Sequence, residues 1–343
     1  MSAALLLSAC GGAPPPASGV TDSPAATTAG TTAGPRFGAY IDTTSYPVHD
    51  FAAEGPASKV LGFIVASPTD PCLPSWGGYY SLDEAESALR MDARIASVRG
   101  AGGDVMVSFG GAARDELATV CADGGLLVDA YRSVVERYGT DAIDLDIEYN
   151  DLLDSASNLR RAEAMATLQR ERSDAEPLEI WLTLPVKPGG LTADGVRVVS
   201  QWVDAGVKLA GVNIMVMDFG GSKPADVGMA AAAKRAALAT HGQLADVYGR
   251  SGSAPSSEAL WAKIGLTPMI GQNDVREEVF DLGDAAEINR FALAHGLGRL
   301  SYWSQNRDRQ CGSDVADPGQ ASDLCSGVDD EPGAFGRALG AGL

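Results

Sequence analysis

Between residues 139 and 150 the chain reads Gly-Thr-Asp-Ala-Ile-Asp-Leu-Asp-Ile-Glu-Tyr-Asn, so that Asp144, Asp146 and Glu148 alternate with Ile143, Leu145 and Ile147. Strand side chains point to opposite faces in turn, so an extended segment here carries three acids on one face and three aliphatics on the other. The aliphatic face demands a core, which a solvated strand edge would not supply. The acid face is costly, because three carboxylates repel one another unless protons are shared or a positive charge develops nearby. Catalysis is the usual reason to keep such a triplet. A calcium loop of the EF-hand type would need its glycine and its twelve-residue ligand spacing. Asp141 is out of register with the three and reads as structural. The segment is therefore expected to be a strand at an active centre.

Short apolar runs alternate with helical patterns from residue 36 onward, the signature of a parallel α/β fold. Strands are expected at 36–41, 59–66, 104–109, 142–148, 179–184, 209–217, 264–270 and 299–303. A helical stripe of Leu82, Ala85, Leu89, Ala93 and Ala96 opens with the capping-box pair Ser81 and Glu84. Asp284 and Glu287 suggest a second such start, with Gly296 where that helix would end. Eight strand–helix units imply a (β/α)8 TIM barrel, a single catalytic domain over 36–343, with functional residues at the carboxyl ends of the strands. Ser108, Glu148, Asp218, Gln272 and Trp303 stand there.

A formal net charge of −19 excludes a nucleic-acid partner, whose phosphates require a basic surface, but is compatible with a neutral polysaccharide. The three histidines, His49, His241 and His295, lack metal-ligand spacing. No metal or other cofactor is expected. No run of eighteen apolar residues is present, so no membrane-spanning helix is expected. Residues 1–10 are apolar, and Leu7-Ser8-Ala9-Cys10-Gly11 resembles a bacterial lipoprotein cleavage site. The resemblance implies lipidation at Cys10, export, and a cell-surface lipoprotein or otherwise a secreted protein. Residues 11–35, rich in Pro, Ala, Thr and Gly, read as a flexible linker, so the lipid would be the only contact with a membrane. Cys72, Cys121, Cys311 and Cys325 suggest two disulfides in an exported chain, for which three pairings are open. Cys311 with Cys325 closes a short loop and is favoured, leaving Cys72 with Cys121.

Four landmarks in order carry a family resemblance. The segment Asp141-Ala-Ile-Asp144-Leu-Asp146-Ile-Glu148 resembles the DxxDxDxE motif of family 18 glycoside hydrolases, the chitinases. Ser108-Phe-Gly110-Gly111 is similar to that family's SxGG motif, and Met215-Val-Met217-Asp218 lies where the family has M-x-Y-D. The segments from Thr267 to Asp274 and from Leu300 to Asp308 resemble strands seven and eight of the bacterial chitinase D branch.

The resemblance implies a chitinase that hydrolyses β-1,4-linked N-acetylglucosamine in chitin or its oligosaccharides. It implies retaining, substrate-assisted catalysis, in which the 2-acetamido oxygen forms an oxazolinium ion and no second carboxylate acts as nucleophile. Glu148 would be the general acid and base. Asp146 would hold the acetamide N–H, with Asp144 sharing a proton with Asp146. Asp218 would help hold the acetamido group and Trp303 would floor the sugar site. Met215, Gln272 and Asn273 are further candidates for lining or contacting the sugar. The family tyrosine has no counterpart at Met217, and Tyr302 or Tyr149 is expected to replace it. Trp76, Tyr79 and Tyr80 form either an outer sugar platform or a packed loop cluster. With aromatics at only 6% of the chain, a short, open, non-processive cleft is expected. The same acids would also suit an endo-β-N-acetylglucosaminidase acting on glycans. A non-catalytic, lectin-like chitin binder is the alternative from outside enzymology, and the intact acid triplet argues against it.

Overall fold

The computed structural model describes Met1 and residues 35–343 except 53–54, 173–176, 314–316 and 318. Cys10, the segment 2–10 and the linker up to residue 34 lie outside the described residues. All the elements below belong to the compact unit Gly34–Leu343.

Eight parallel strands close on themselves. They are β1 (Arg36–Asp42), β2 (Ser58–Ala66), β3 (Val105–Gly110), β4 (Ala142–Asp146), β5 (Glu179–Lys187), β6 (Leu209–Met215), β7 (Ile264–Thr267) and β8 (Arg299–Tyr302). Each pairs in parallel with the next, and β8 pairs with β1 to complete the barrel. Among the described residues, the connection from β1 to β2 carries no helix, whereas every later connection carries at least one.

The two faces of each strand feed separate cores. Ile143, Leu145 and Ile147 join the large cluster under the helices, while Tyr40, Val60, Met106, Ala142 and Trp181 pack inside the barrel. Above that inner layer the barrel is polar, lined by Ser108, Asp144, Thr183, Asn213, Thr267 and Ser301, all buried. A polar interior survives only when its groups are hydrogen-bonded, and these are satisfied by one another.

Helix boundaries depart from expectation in two places. The stripe starting at Leu82 breaks at Arg90, which adopts φ 54°, so Leu82–Leu89 is followed by a separate helix, Met91–Gly100. That second helix buries Met91, Ile95 and Val98 rather than Ala93 and Ala96. The Ser81–Glu84 capping box is present. The other box lies three residues earlier than expected: Asp281 caps Leu282–His295 and Asp284 closes the box, with Gly296 in the left-handed conformation at the end.

Disulfides join Cys72 to Cys121 and Cys311 to Cys325, the favoured pairing. The first ties the loop after β2 to the loop after β3, and the second closes a loop beyond β8.

Candidate active site

At the carboxyl ends of the strands a pocket opens whose walls include Tyr40, Phe63, Asp146, Glu148, Tyr149, Met215, Met217, Asp218 and Trp303. The acid strand supplies its centre. Strand β4 ends at Asp146, yet Glu148 keeps extended backbone (φ −127°, ψ 171°), so the two-residue alternation carries through to it.

The three acids have different surroundings. Asp144 is wholly buried and accepts four hydrogen bonds: from Tyr40 Oη (2.9 Å), Ser108 Oγ (2.7 Å), Thr183 Oγ1 (2.6 Å) and Arg299 Nη1 (2.7 Å). Arg299 also donates to Tyr40 Oη at 2.8 Å, and its guanidinium lies over the Tyr40 ring. Both Asp144 oxygens are thus occupied by other donors, and no hydrogen bond joins Asp144 to Asp146 among the described residues. The expected proton sharing between the two has no bond to carry it here.

Asp146 is the opposite case. It is buried, its Oδ1 has no hydrogen-bond partner among the described residues, and burial, Glu148 and Asp144 together push its carboxyl well above the usual range. Glu148 faces the pocket, and no hydrogen bond to its carboxyl is recorded among the described residues. Burial first, then the charges of Asp218 and Asp151, push it up to about 7. A carboxylic acid poised near neutrality can give a proton and then take one back.

Glycine at 110 follows from the approach of β3 to the acid strand. A Cβ on Gly110, whose φ is 91°, would stand 2.2 Å from the Asp146 carbonyl oxygen. The next residue, Gly111, donates its N–H to that same oxygen at 3.0 Å. At Gly111 a Cβ would meet the Phe63 ring at 2.9 Å, and Phe63 stacks on Trp303 with centroids 5.7 Å apart. The two glycines therefore let the aromatic wall and the acid strand close on one pocket.

Asp218, at φ 46°, lines the pocket and accepts from the Val275 N–H at 3.1 Å. Burial raises its carboxyl above the usual range, and that hydrogen bond opposes the rise. Met215 and Trp303 also line the pocket. Three other expected contacts do not reach it.

Tyr302 is fully buried on the outer face of β8. There it donates to Asp308 Oδ2 at 3.2 Å and packs near Phe37, because Ser301 and Trp303 take the inward positions. Gln272 spends its amide on loop carbonyls, among them Asn273 O at 3.0 Å and Arg276 O at 3.1 Å. Asn273 donates to Met269 O and Gly271 O and accepts from the Asp218 N–H at 3.3 Å, so it holds the backbone of Asp218 rather than a ligand. Of the candidate replacements for the family tyrosine, Tyr302 is removed and Tyr149 stands on the pocket wall beside Glu148. Trp76 is also removed as a platform, being fully buried with its indole N–H on Tyr138 Oη at 2.8 Å. Tyr79 is 64% exposed, with Arg114 over its ring.

Sequence reading passed over Tyr40, Phe63, Thr183 and Arg299. Tyr40, Thr183 and Arg299 are inward-facing strand positions, and their alternation with apolar neighbours is the signal that marks them. Asp274 and Asp323, on loops beyond β7 and β8, also reach the pocket wall. Among the described residues no group of His, Cys, Asp and Glu has an arrangement that would hold a metal.

No protein-family profile matches the chain. Over 290 residues it is 35% identical to a probable bifunctional chitinase/lysozyme of Escherichia coli (strain K12), covering 81% of this chain and 31% of that protein. Over 282 residues it is 33% identical to Endochitinase 11 of Metarhizium anisopliae, covering 78% of this chain and 52% of that one. The chain thus spans between about a third and a half of the length of these curated relatives. Among solved structures, it superposes on the catalytic domain of the hyperthermophilic chitinase from Pyrococcus furiosus with a TM-score of 0.76. That match has 29% identity and covers 91% of this chain and 97% of that one. Active domain 2 of the thermostable chitinase from the same organism, complexed with chito-oligosaccharides as catalytic-site mutants, matches equally at TM-score 0.76 and 29% identity, covering 96% of that chain.

Proposed function

We propose that this chain is a member of glycoside hydrolase family 18, the family of the chitinases, as its likeness to the chitinases above supports, and that the pocket cuts β-1,4 links between N-acetylglucosamine units of chitin or its oligomers. The observation that carries the proposal is the Glu148 carboxyl, which faces the pocket, has no hydrogen-bond partner among the described residues and is pushed up to about 7. It can hold a proton for the leaving glycosidic oxygen at neutral pH.

The rest of the pocket supports substrate-assisted catalysis. As Glu148 gives its proton to the leaving oxygen, the 2-acetamido carbonyl oxygen of the same sugar bonds to the anomeric carbon, and the C1–O bond breaks. The cyclic oxazolinium that results is positive. Asp146, with its unpartnered Oδ1, accepts the acetamido N–H, and the negative charge of Asp144 lies on the same strand face. Glu148, now a carboxylate, takes a proton from water as the water oxygen attacks the anomeric carbon and the bond from that carbon to the acetamido oxygen breaks. Two displacements on one carbon retain its configuration. Asp218 orients the acetamido group from the β6 side. Trp303, stacked on Phe63, gives the pyranose an aromatic floor.

Tyr149 replaces the hydroxyl missing at Met217. Of Trp76, Tyr79 and Tyr80 only Tyr79 is exposed, which favours a short cleft. The domain limits 1–10, 11–35 and 36–343, and a lipid on Cys10 that holds the enzyme at the cell surface, belong to the same proposal.

The test compares purified protein with Glu148→Gln on chitin oligomers of three to six sugars. Release of sugar by the wild type, with a loss of about 10³-fold or more in the variant, is the expected result. Binding without turnover in both would make the protein a lectin, and release only from high-mannose glycopeptide would make it an endo-β-N-acetylglucosaminidase.

A further inference from the structure

Directly after Glu148 the chain turns into a five-residue helix, Tyr149–Leu153, too short to hold itself in place. It is held from behind by Asp151. This carboxylate is 7% exposed and accepts from Thr119 Oγ1 at 2.7 Å and from the Glu116 N–H at 3.3 Å. Behind it lies a buried ion pair, Arg161 with Glu116 at 2.7 Å, both side chains wholly buried. Glu116 also accepts from Tyr131 Oη and from the Ala118 N–H, while Arg161 donates to Asn158 Oδ1 at 2.6 Å. The loop closes on the same helix, since the Asn158 amide donates to the carbonyls of Asp151 and Leu152 at 2.9 and 3.2 Å. The Cys72–Cys121 disulfide fixes the far end of the Leu117–Val120 segment that carries Thr119. None of these groups touches the substrate in the chemistry set out above.

Charge pairs of this kind add little net stability once desolvation is counted, so their cost points to a role in orientation. We propose that Asp151 is a positioning residue for Glu148: tied to the Glu116–Arg161 pair, it fixes the turn after the acid strand and holds the Glu148 carboxyl toward the pocket. The inference rests on the hydrolytic reading of that pocket. Asp151 acts on Glu148 through charge as well. Asp146 from the acid strand, Asp218 beyond β6, Asp274 beyond β7, Asp323 beyond β8 and the Tyr149 hydroxyl share the pocket with Glu148. After burial and Asp218, Asp151 is the next cause of the rise in Glu148. Asp151 itself faces Glu116 and Arg161, while Arg160 and Arg197 bind the carbonyls of Ala118 and Leu152 nearby.

The experiment measures kcat, KM and their pH dependence for the full chain on a chromogenic N-acetylglucosamine oligomer, with thermal midpoints as the control for folding. Asp151→Asn is expected to lower kcat about tenfold, to leave KM within about twofold, and to move the alkaline limb to lower pH, because one negative charge near Glu148 is gone. Asp151→Glu keeps the charge but cannot keep both contacts, so kcat falls while the limb stays. Unchanged kcat and an unmoved limb in Asp151→Asn overturn the proposal. So does a loss of kcat that only tracks a loss of folded protein. Where Asp151→Asn does not fold, Thr119→Val is read instead: kcat falls several-fold at constant KM, and an unchanged kcat overturns the proposal. A wild type that cleaves no oligomer refutes the hydrolytic reading, whereas an active wild type with unaffected variants refutes only the role of Asp151.

Discussion

Replacing Arg299 by methionine removes the guanidinium paired with Asp144. The ion pair spans 2.7 Å with 1% and 0% of the two side chains exposed, so water cannot replace the lost cation. Three hydroxyl donors remain on the carboxylate, from Tyr40, Ser108 and Thr183, and Tyr40 loses its donor at 2.8 Å while keeping the longer one from Asn213 at 3.4 Å. Breaking a buried pair from one side costs about 3–5 kcal/mol, mostly because the surviving charge is left buried without its partner. For a domain of this size each kcal/mol moves the thermal midpoint by roughly 2 °C, so Arg299→Met should melt about 6–10 °C below the wild type. The double variant Asp144→Asn with Arg299→Met removes both charges and should regain more than half of that loss. Circular dichroism melts of the four proteins in the cycle give the coupling directly, expected at about 2 kcal/mol or more. Additive losses, or a single variant within about 1 kcal/mol of the wild type, would show that the Asp144 charge is not held by Arg299.

Three further outcomes follow from the same structure. Because Glu148 is pushed up to about 7, kcat/KM should fall as pH rises through neutrality, and an alkaline limb near pH 5 would contradict that. The raised carboxyl also stabilises the fold below its ordinary value of 4.5 and loses that contribution as pH climbs to about 7. Relative to Glu148→Gln, the wild type should therefore lose about 3 kcal/mol across this window in denaturant titrations at several pH values. Cutting the disulfides by Cys→Ala pairs should cost about 4 kcal/mol for Cys72–Cys121 and about 3 kcal/mol for Cys311–Cys325, from their separations of 49 and 14 residues. Urea midpoints in the opposite order would mean that native-state strain outweighs loop entropy.

The strands and the acid triplet were legible because both rest on period-two alternation, which survives in any parallel barrel. All eight expected strands fall at observed ones, with ends shifted by a few residues where the carboxyl ends bend into loops. The same rule, applied to β8, puts Ser301 and Trp303 on one face and would have turned Tyr302 outward. Following the motif rather than the alternation placed it in the site. Gln272 and Asn273 misled for another reason. A loop that folds back over the barrel mouth leaves carbonyls that need donors, and buried amides supply them, a demand invisible without the loop's path. Arg299 was missed because a lone arginine at a strand start looks like a solvated edge until its partner, 155 residues away, is known.

The account turns on the acetamido group as nucleophile with Glu148 as its acid. The measurement that tests it most directly is proton NMR of the first products from a chitin hexamer, run beside its fully de-N-acetylated counterpart. The account predicts products released as the β-anomer before mutarotation, and no cleavage of the de-N-acetylated chain. An α-anomer as first product, or equal cleavage of both chains, would contradict it.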